Sequence, residues 1–233
     1  MEVTPVVSKI FIRILFCVVL LGFGALPIRA QTDVAASLYG AFSGATNGNG
    51  VQESPSNAAG TLIEVRHIRN SLAGYEVTYS YNRANQAYSN LSTPCPLTGS
   101  SSCTTTTAAI SSNAHEITGD WVASLKIAKL RPFALLGGGF VFDVPSVGTV
   151  IFTTCSLLNS LCSSSTGSAS VAAQTEAVFV YGAGVDWRLS PHIGLRFQYR
   201  GNLQKVPPLL NGFASTGALT HAAEPMIGAY LRF

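Results

Sequence analysis

Residues 177–200 read AVFVYGAGVDWRLSPHIGLRFQYR. Phe179, Tyr181, Ala183, Val185 and Trp187 alternate with Val180, Gly182, Gly184 and Asp186. After the short connection Arg188-Leu189-Ser190-Pro191 the alternation resumes, with Ile193, Leu195, Phe197 and Tyr199 set against Gly194, Arg196, Gln198 and Arg200. A period of two on both sides of a tight turn specifies two antiparallel strands with one apolar and one polar face. The apolar face carries large aromatics, and the polar face carries charge.

The same period runs through the rest of the chain. GYEVTYSYN puts Tyr75, Val77, Tyr79 and Tyr81 opposite Glu76, Thr78, Ser80 and Asn82. EITGDWVASL sets Ile117, Gly119, Trp121, Ala123 and Leu125 against Glu116, Thr118, Asp120, Val122 and Ser124. VAASLYGAFSGA, GTLIEVRHI, RPFALLGGGFVF and the final PMIGAYLRF complete a set of eight predicted strands. Pro132 is tolerated near a strand start, and Gly137-Gly138-Gly139 marks a site of sharp curvature, because no helical pattern follows it as a phosphate loop would need.

The connections carry more information than the strands. RNSLA, KIAKL and RLSP are short, whereas Asn47–Asn57, Arg83–Ala114, Asp143–Glu176 and Gly201–Glu224 are long and rich in Ser, Thr, Asn, Gly and Pro. Short and long alternate strictly. Four structureless loops of that length argue against a compact soluble domain, while tight turns at one end and long loops at the other suit an up-and-down barrel in an outer membrane. In lipid every backbone N–H and C=O must be paired within the protein, which a sheet achieves only by closing on itself. Tilted strands of about 9–11 residues cross the bilayer. An even strand number puts both ends of the barrel on the side of the short turns, and Tyr81, Trp187, Tyr199 and Phe233 fall where interfacial aromatic girdles belong. A soluble sandwich or lipocalin-like barrel would instead turn its apolar face inward and carry its charge outside. The segment VGTVIFTTC extends a strand beyond the membrane or forms a small hairpin there; as a ninth crossing it would break the alternation. The expected class is therefore all-β, an eight-stranded antiparallel up-and-down transmembrane β-barrel.

Charged residues are only 11 % of the chain, against roughly a quarter in ordinary soluble domains. The one long uninterrupted apolar run lies near the N-terminus. Lys9 and Arg13 precede it and Ala30-Gln31 offers a small-residue cleavage point, the layout of a secretory signal peptide. The expected organisation is a signal peptide over residues 1–30 and a barrel domain over residues 31–233. Loss of Lys9, Arg13, Arg29 and Glu2 takes the formal charge from +3 to +1, which gives no electrostatic case for nucleic acid. The exported chain keeps Cys95, Cys103, Cys155 and Cys162. An even count favours disulfides and close spacing favours the local pairs Cys95–Cys103 and Cys155–Cys162, although three pairings are open. No Cys-x-x-Cys and no neighbouring His points to zinc, and no motif implies a cofactor.

YGAGVDWRLSPHIGLRFQYR and PMIGAYLRF together resemble the small eight-stranded outer-membrane barrels of the OmpA/OmpX type, the outer membrane protein β-barrel domain family. The likeness spans residues 31–233 and rests on patterns more than on signature residues. It implies a Gram-negative outer membrane with lipid as the surrounding partner and a monomeric barrel. It also implies a terminal strand read by the barrel assembly machinery through Ile227, Ala229, Leu231 and Phe233, and no peptidoglycan-binding domain after the barrel.

An eight-stranded barrel has room inside for side chains and not for a wide pore. The polar faces place Glu64, Arg66, Glu76, Glu116, Asp120, Asp186, Arg196, Arg200 and Arg232 in that interior, with Glu116, Asp186 and Arg232 expected near the rims. Near balance of sign predicts paired charges, since an unpaired buried charge is costly. A structural plug is the simpler reading, and a narrow ion path gated by Arg–carboxylate pairs is the functional one. Among the small barrels the chain resembles, the lipid A deacylases carry a His-x-Ser pair, which none of His67, His115, His192 and His221 matches; HAAE (His221, Glu224) sets an acid near a base without a nucleophile. The expectation is a non-catalytic barrel with a structural or surface-interaction role, its long outer loops either contacting an extracellular ligand or simply solvated; a narrow pore is the second reading and a lipid-modifying enzyme the third.

Overall fold

The computed structural model describes residues 31–90, 102–146, 148–156, 162–169, 172–206 and 216–233. The signal-peptide reading of residues 1–30 and the Cys95–Cys103 pair lie outside the described residues. Among them, twelve strands form one antiparallel sheet: β1 (Gln31–Ser43), β2 (Thr46–Gly48), β3 (Val51–Pro55), β4 (Ala58–Ile68), β5 (Gly74–Asn90), β6 (Ser102–Ser124), β7 (Leu130–Pro145), β8 (Gly148–Ser156), β9 (Cys162–Ala169), β10 (Gln174–Arg188), β11 (Ile193–Lys205) and β12 (Leu219–Arg232).

Eight of these close on themselves. The order β5-β4-β1-β12-β11-β10-β7-β6 returns to β5 through the β5–β6 pairing. The seam between first and last strand is paired along its length, with Val34 opposite Leu231 and Leu38 opposite Ile227. Phe233 N–H donates to the Thr32 carbonyl at 2.9 Å. The closed ring leaves no edge strand around the apolar band, which is what lipid demands of a sheet.

Side chains sort by parity. On β4, Ile63 is 55 % exposed and its neighbour Glu64 1 %. On the exterior, Leu38, Val77, Trp121, Phe140, Phe179, Trp187, Phe197, Ile227 and Leu231 are all exposed. So large an apolar exterior on a closed barrel is a lipid-facing surface. Inside, two apolar groups fill part of the lumen: Ile68, Val122, Phe133, Leu135, Val141, Val178 and Val180 in one, Tyr39, Ala41, Leu62 and Met226 in the other.

The long connections are where the structure departs from the sequence reading. The β5–β6 register runs without interruption from Gly74 opposite Val122 to Ser89 opposite Thr107. Thus β6 has 23 residues, against the 9–11 or so that cross a bilayer. Much of Arg83–Ala114 is a continuation of the membrane hairpin and not a loop. Asn47–Asn57 contains the β2–β3 hairpin, turned at Asn49 (φ 51°) and Gly50 (φ 73°). Two successive positive-φ residues are the type I′ signature, and Asn-Gly is its preferred sequence. VGTVIFTTC is no ninth crossing: β8 folds back beside the upper part of β6 and pairs on its other edge with β9. These outer strands share a small core of their own, made of Val51, Tyr88, Ala108, Ile110 and Val150. The extension shows little alternation in sequence because its apolar residues are few and scattered among Ser, Thr and Asn, while its many Thr residues still favour extended backbone.

Candidate functional site: the charged lumen and its outward-facing cup

The lumen is stratified. Near the short turns, neighbouring strands contribute charges of opposite sign in register: Glu76 opposite Arg66, Arg66 opposite Asp33, Asp33 opposite Arg232, and Arg196 opposite Asp186, itself opposite Arg131. Arg66 donates through Nε to Glu76 Oε2 at 2.7 Å, and its Nη1 lies 3.6 Å from Asp186. Arg196 grips Asp186 with two bonds of 2.6 and 2.9 Å and also contacts Glu64. The Arg66 guanidinium lies 3.9 Å over the Phe133 ring, and Arg196 lies 5.3 Å from the Tyr230 ring centre. At the mouth, Asp33 accepts from Gln31 at 2.8 Å and from Arg232 at 3.3 Å, with Arg131 at 3.6 Å. A bidentate arginine pair with aromatic faces on its flanks is the arrangement that offsets burial of both charges.

Above this belt Arg200 is wholly buried. It donates to Thr78 at 3.2 Å, Thr118 at 3.1 Å and Glu116 at 3.2 Å, and Asp120 lies 3.7 Å away. Asn202 Nδ2 donates to the other Glu116 oxygen at 2.8 Å. Above Arg200 again, a cup of about 90 Å³ is lined by Glu53, Glu116, Asp143 and Glu224 among small and polar residues. Burial pushes the Glu53 carboxyl, on the extension, up to about 8; Asp143 adds to the rise and a hydrogen bond with Tyr88 opposes it.

The structure thus places Glu64, Arg66, Glu76, Asp120, Asp186, Arg196 and Arg200 in the lumen and Glu116 at the floor of the cup, all buried; the Arg232 side chain is at the turn-side rim, 17 % exposed. The rim expectation fails for Asp186, which is shut in by Arg196 and Arg66. Glu116 is likewise covered, by Arg200 and Asn202. The interior also holds five ionisable groups beyond the nine expected there: Asp33, Glu53, Arg131, Asp143 and Glu224. Parity gave the signal for four of them. Asp33 precedes inward Ala35, Arg131 precedes inward Phe133, Asp143 follows inward Val141, and Glu224 precedes inward Met226. Glu53 lies on a strand that the sequence presents as loop.

HAAE separates its two members. Residues three apart on a strand point to opposite faces, so Glu224 turns into the cup while His221 faces outward against the Tyr181 hydroxyl at 2.8 Å. His67 and His115 likewise pair with Thr32 and Tyr79. Among the described residues no three His, Cys, Asp or Glu side chains converge on a point that could hold a metal ion. Backbone register sets Cys155 opposite both Cys162 and Cys103. On the closing strand, Ile227, Leu231 and Phe233 are exposed on the apolar exterior with Ala229 between them, while Tyr230 is buried inside.

A closed eight-stranded ring with an apolar outside and a charged, packed inside is a small outer-membrane β-barrel, and the outer membrane is where such a surface resides. Solved structures with this fold include OprG from Pseudomonas aeruginosa, at 10 % identity over 88 % of this chain and 96 % of that one, with a TM-score of 0.50. Neisserial surface protein A matches at 14 % identity over 88 % and 97 %, TM-score 0.43. Ail of Yersinia pestis, solved in complex with the heparin analogue sucrose octasulfate, matches at 13 % identity over 88 % and 100 %, TM-score 0.42. At such identities the likeness is one of fold. No protein-family model matches the chain, and no curated relative is found.

Proposed function

We propose that the chain is a non-catalytic outer-membrane scaffold that presents a folded β extension to the cell exterior as a contact surface, above a lumen sealed by ion pairs. The observation that carries this reading is the separate small core of Val51, Tyr88, Ala108, Ile110 and Val150. An extension with its own core holds a fixed shape, as a recognition surface requires. Ile151 and Phe152, 40 % and 44 % exposed on β8, supply apolar contact area there. A Cys155–Cys162 disulfide would pin the β8–β9 hairpin, and the facing register supports it; peptide mass mapping under non-reducing conditions tests it. The surface reading itself is tested by expressing the chain in a Gram-negative host and scoring cell–cell aggregation and attachment to immobilised collagen, laminin and fibronectin. Full-length protein is expected to raise at least one, and replacement of residues 148–169 by a short turn is expected to abolish the gain while the barrel still folds. Equal adhesion by both would reject the reading.

A narrow low-conductance pore is the second reading. It draws on interior polar atoms that make no hydrogen bond: Asn202 Oδ1, the Gln198 amide and Asp120 Oδ1.

A further inference from the structure

We propose that the outward-facing cup above Arg200 is a binding site for an organic ammonium cation, and that linear polyamines are the class it fits. The inference rests on the chemistry of the cup and not on the adhesion reading. Four carboxyl groups line it, Glu53, Glu116, Asp143 and Glu224, and no Lys, Arg or His is among its lining residues. Arg200 beneath the floor is already committed to Glu116, Thr78 and Thr118. Glu53, Asp143 and Glu224 have no ion pair among the described residues, although they are buried.

A second observation, independent of the acids, points the same way. Asn202 is 3 % exposed, lines the cup, and has no partner for Oδ1. Its orientation is fixed because Nδ2 donates to Glu116; the flipped amide would set oxygen against carboxylate. Glu224 Oε2 and Asp143 Oδ2, each on a residue 4 % exposed, are also without partners. The cup therefore offers four carboxyl groups and an unmet amide oxygen with no cationic donor in its lining, and buried acceptors are expensive to leave unmet.

The geometry selects among cations. No three of these side chains converge as one metal ion would require. A cation with several separated N–H donors meets dispersed carboxylates where a point charge cannot. Ala41, Ala58, Ala114, Val141 and Ala222 lie between the acids, giving apolar ground for the methylene runs of such a molecule. At about 90 Å³ the cup takes one aminoalkyl end, with the remainder directed outward. Glu53, held protonated by burial to about pH 8, would give its proton up when an ammonium group arrives.

The test uses the full barrel in an uncharged maltoside micelle, titrated calorimetrically with spermidine at low ionic strength. Saturable binding is expected, weakened about tenfold or more in Asp143→Asn/Glu224→Gln and unchanged in Lys126→Gln. Calcium alone is expected neither to bind there nor to displace spermidine. Repeating the titration near pH 7 in buffers of different ionisation enthalpy should show proton release for the native chain and a smaller release for Glu53→Gln. That variant carries the test if the double variant loses heat-modifiable gel migration. No saturable spermidine binding by the native chain would overturn the proposal. So would equal affinity in a folded double variant, displacement of spermidine by calcium, or proton release unaltered by Glu53→Gln.

Discussion

Arg196 is out of solvent between Glu64 and Asp186, and its two bonds to Asp186 are shorter than the 3.6 Å approach of Arg66 to the same carboxylate. Arg196→Met should therefore cost about 3–5 kcal/mol, the usual result of stranding a buried countercharge, read as a lower urea midpoint for the barrel in micelles. Adding Asp186→Leu and Glu64→Met should recover most of the loss, because no carboxylate is then left unpaired; a triple variant no more stable than the single one would contradict this account. Glu53 gives a prediction of opposite character. Burial raises its carboxyl from 4.5 to about 8. The unfolded chain loses that proton near 4.5 and the folded chain keeps it, so the native state binds more protons across this interval. Stability from this group is accordingly greatest below pH 4.5 and declines as pH rises toward 8. Amide exchange along β3 should quicken over that interval, and Glu53→Gln should flatten the dependence. At this scale strand parity made the lumen legible: nine charges were assigned to it from alternation alone. What parity could not reveal was which charges would meet, since that depends on register and on shear around the ring.

Gly137 and Gly139 show what the triple glycine does for its element. Both lie on the inward side of β7, packed onto β6. A Cβ at Gly137 would collide with the Asp120 carboxylate and the Gly119 carbonyl, and one at Gly139 with the Ile117 carbonyl. The curvature expected from the sequence thus takes the form of two strands pressed closely together. Gly139→Val should prevent closure, with loss of the heat-modifiable band, whereas Gly44→Ala, where an added Cβ meets nothing within 4 Å, should leave it intact. The same closeness explains a limit of sequence reading at the element scale. Membrane-crossing strands are legible because one face must be apolar. The extension has no such obligation, so β2, β3, β9 and the upper reaches of β5 and β6 read as polar loop, while VGTVIFTTC, which holds β8, reads as a strand extension or small hairpin. The Asn49-Gly50 dipeptide is a second local signal, since Asn-Gly is the preferred sequence of a type I′ turn.

For the whole molecule the question is whether anything passes through it. The belt of Asp33, Glu64, Arg66, Glu76, Arg131, Asp186, Arg196 and Arg232 fills the turn side of the lumen, with Phe133 and Tyr230 against its guanidinium groups. The Arg200 cluster closes the middle. A permeating ion would have to part at least one bidentate arginine pair and cross two such layers. Each layer already holds both signs of charge, so an ion gains little on arrival to offset what it disrupts. Purified protein in a planar bilayer should therefore be silent under applied voltage. Opening the belt should change that: with Arg66→Ala and Phe133→Ala together, a stacked pair of large side chains is removed from it, and small steps should appear provided the ring still closes. Reproducible steps from the native chain, lost in Arg196→Met or Asp120→Asn, would instead show that these pairs part and re-form, making the lumen a gated path and leaving the outer β extension as its mouth.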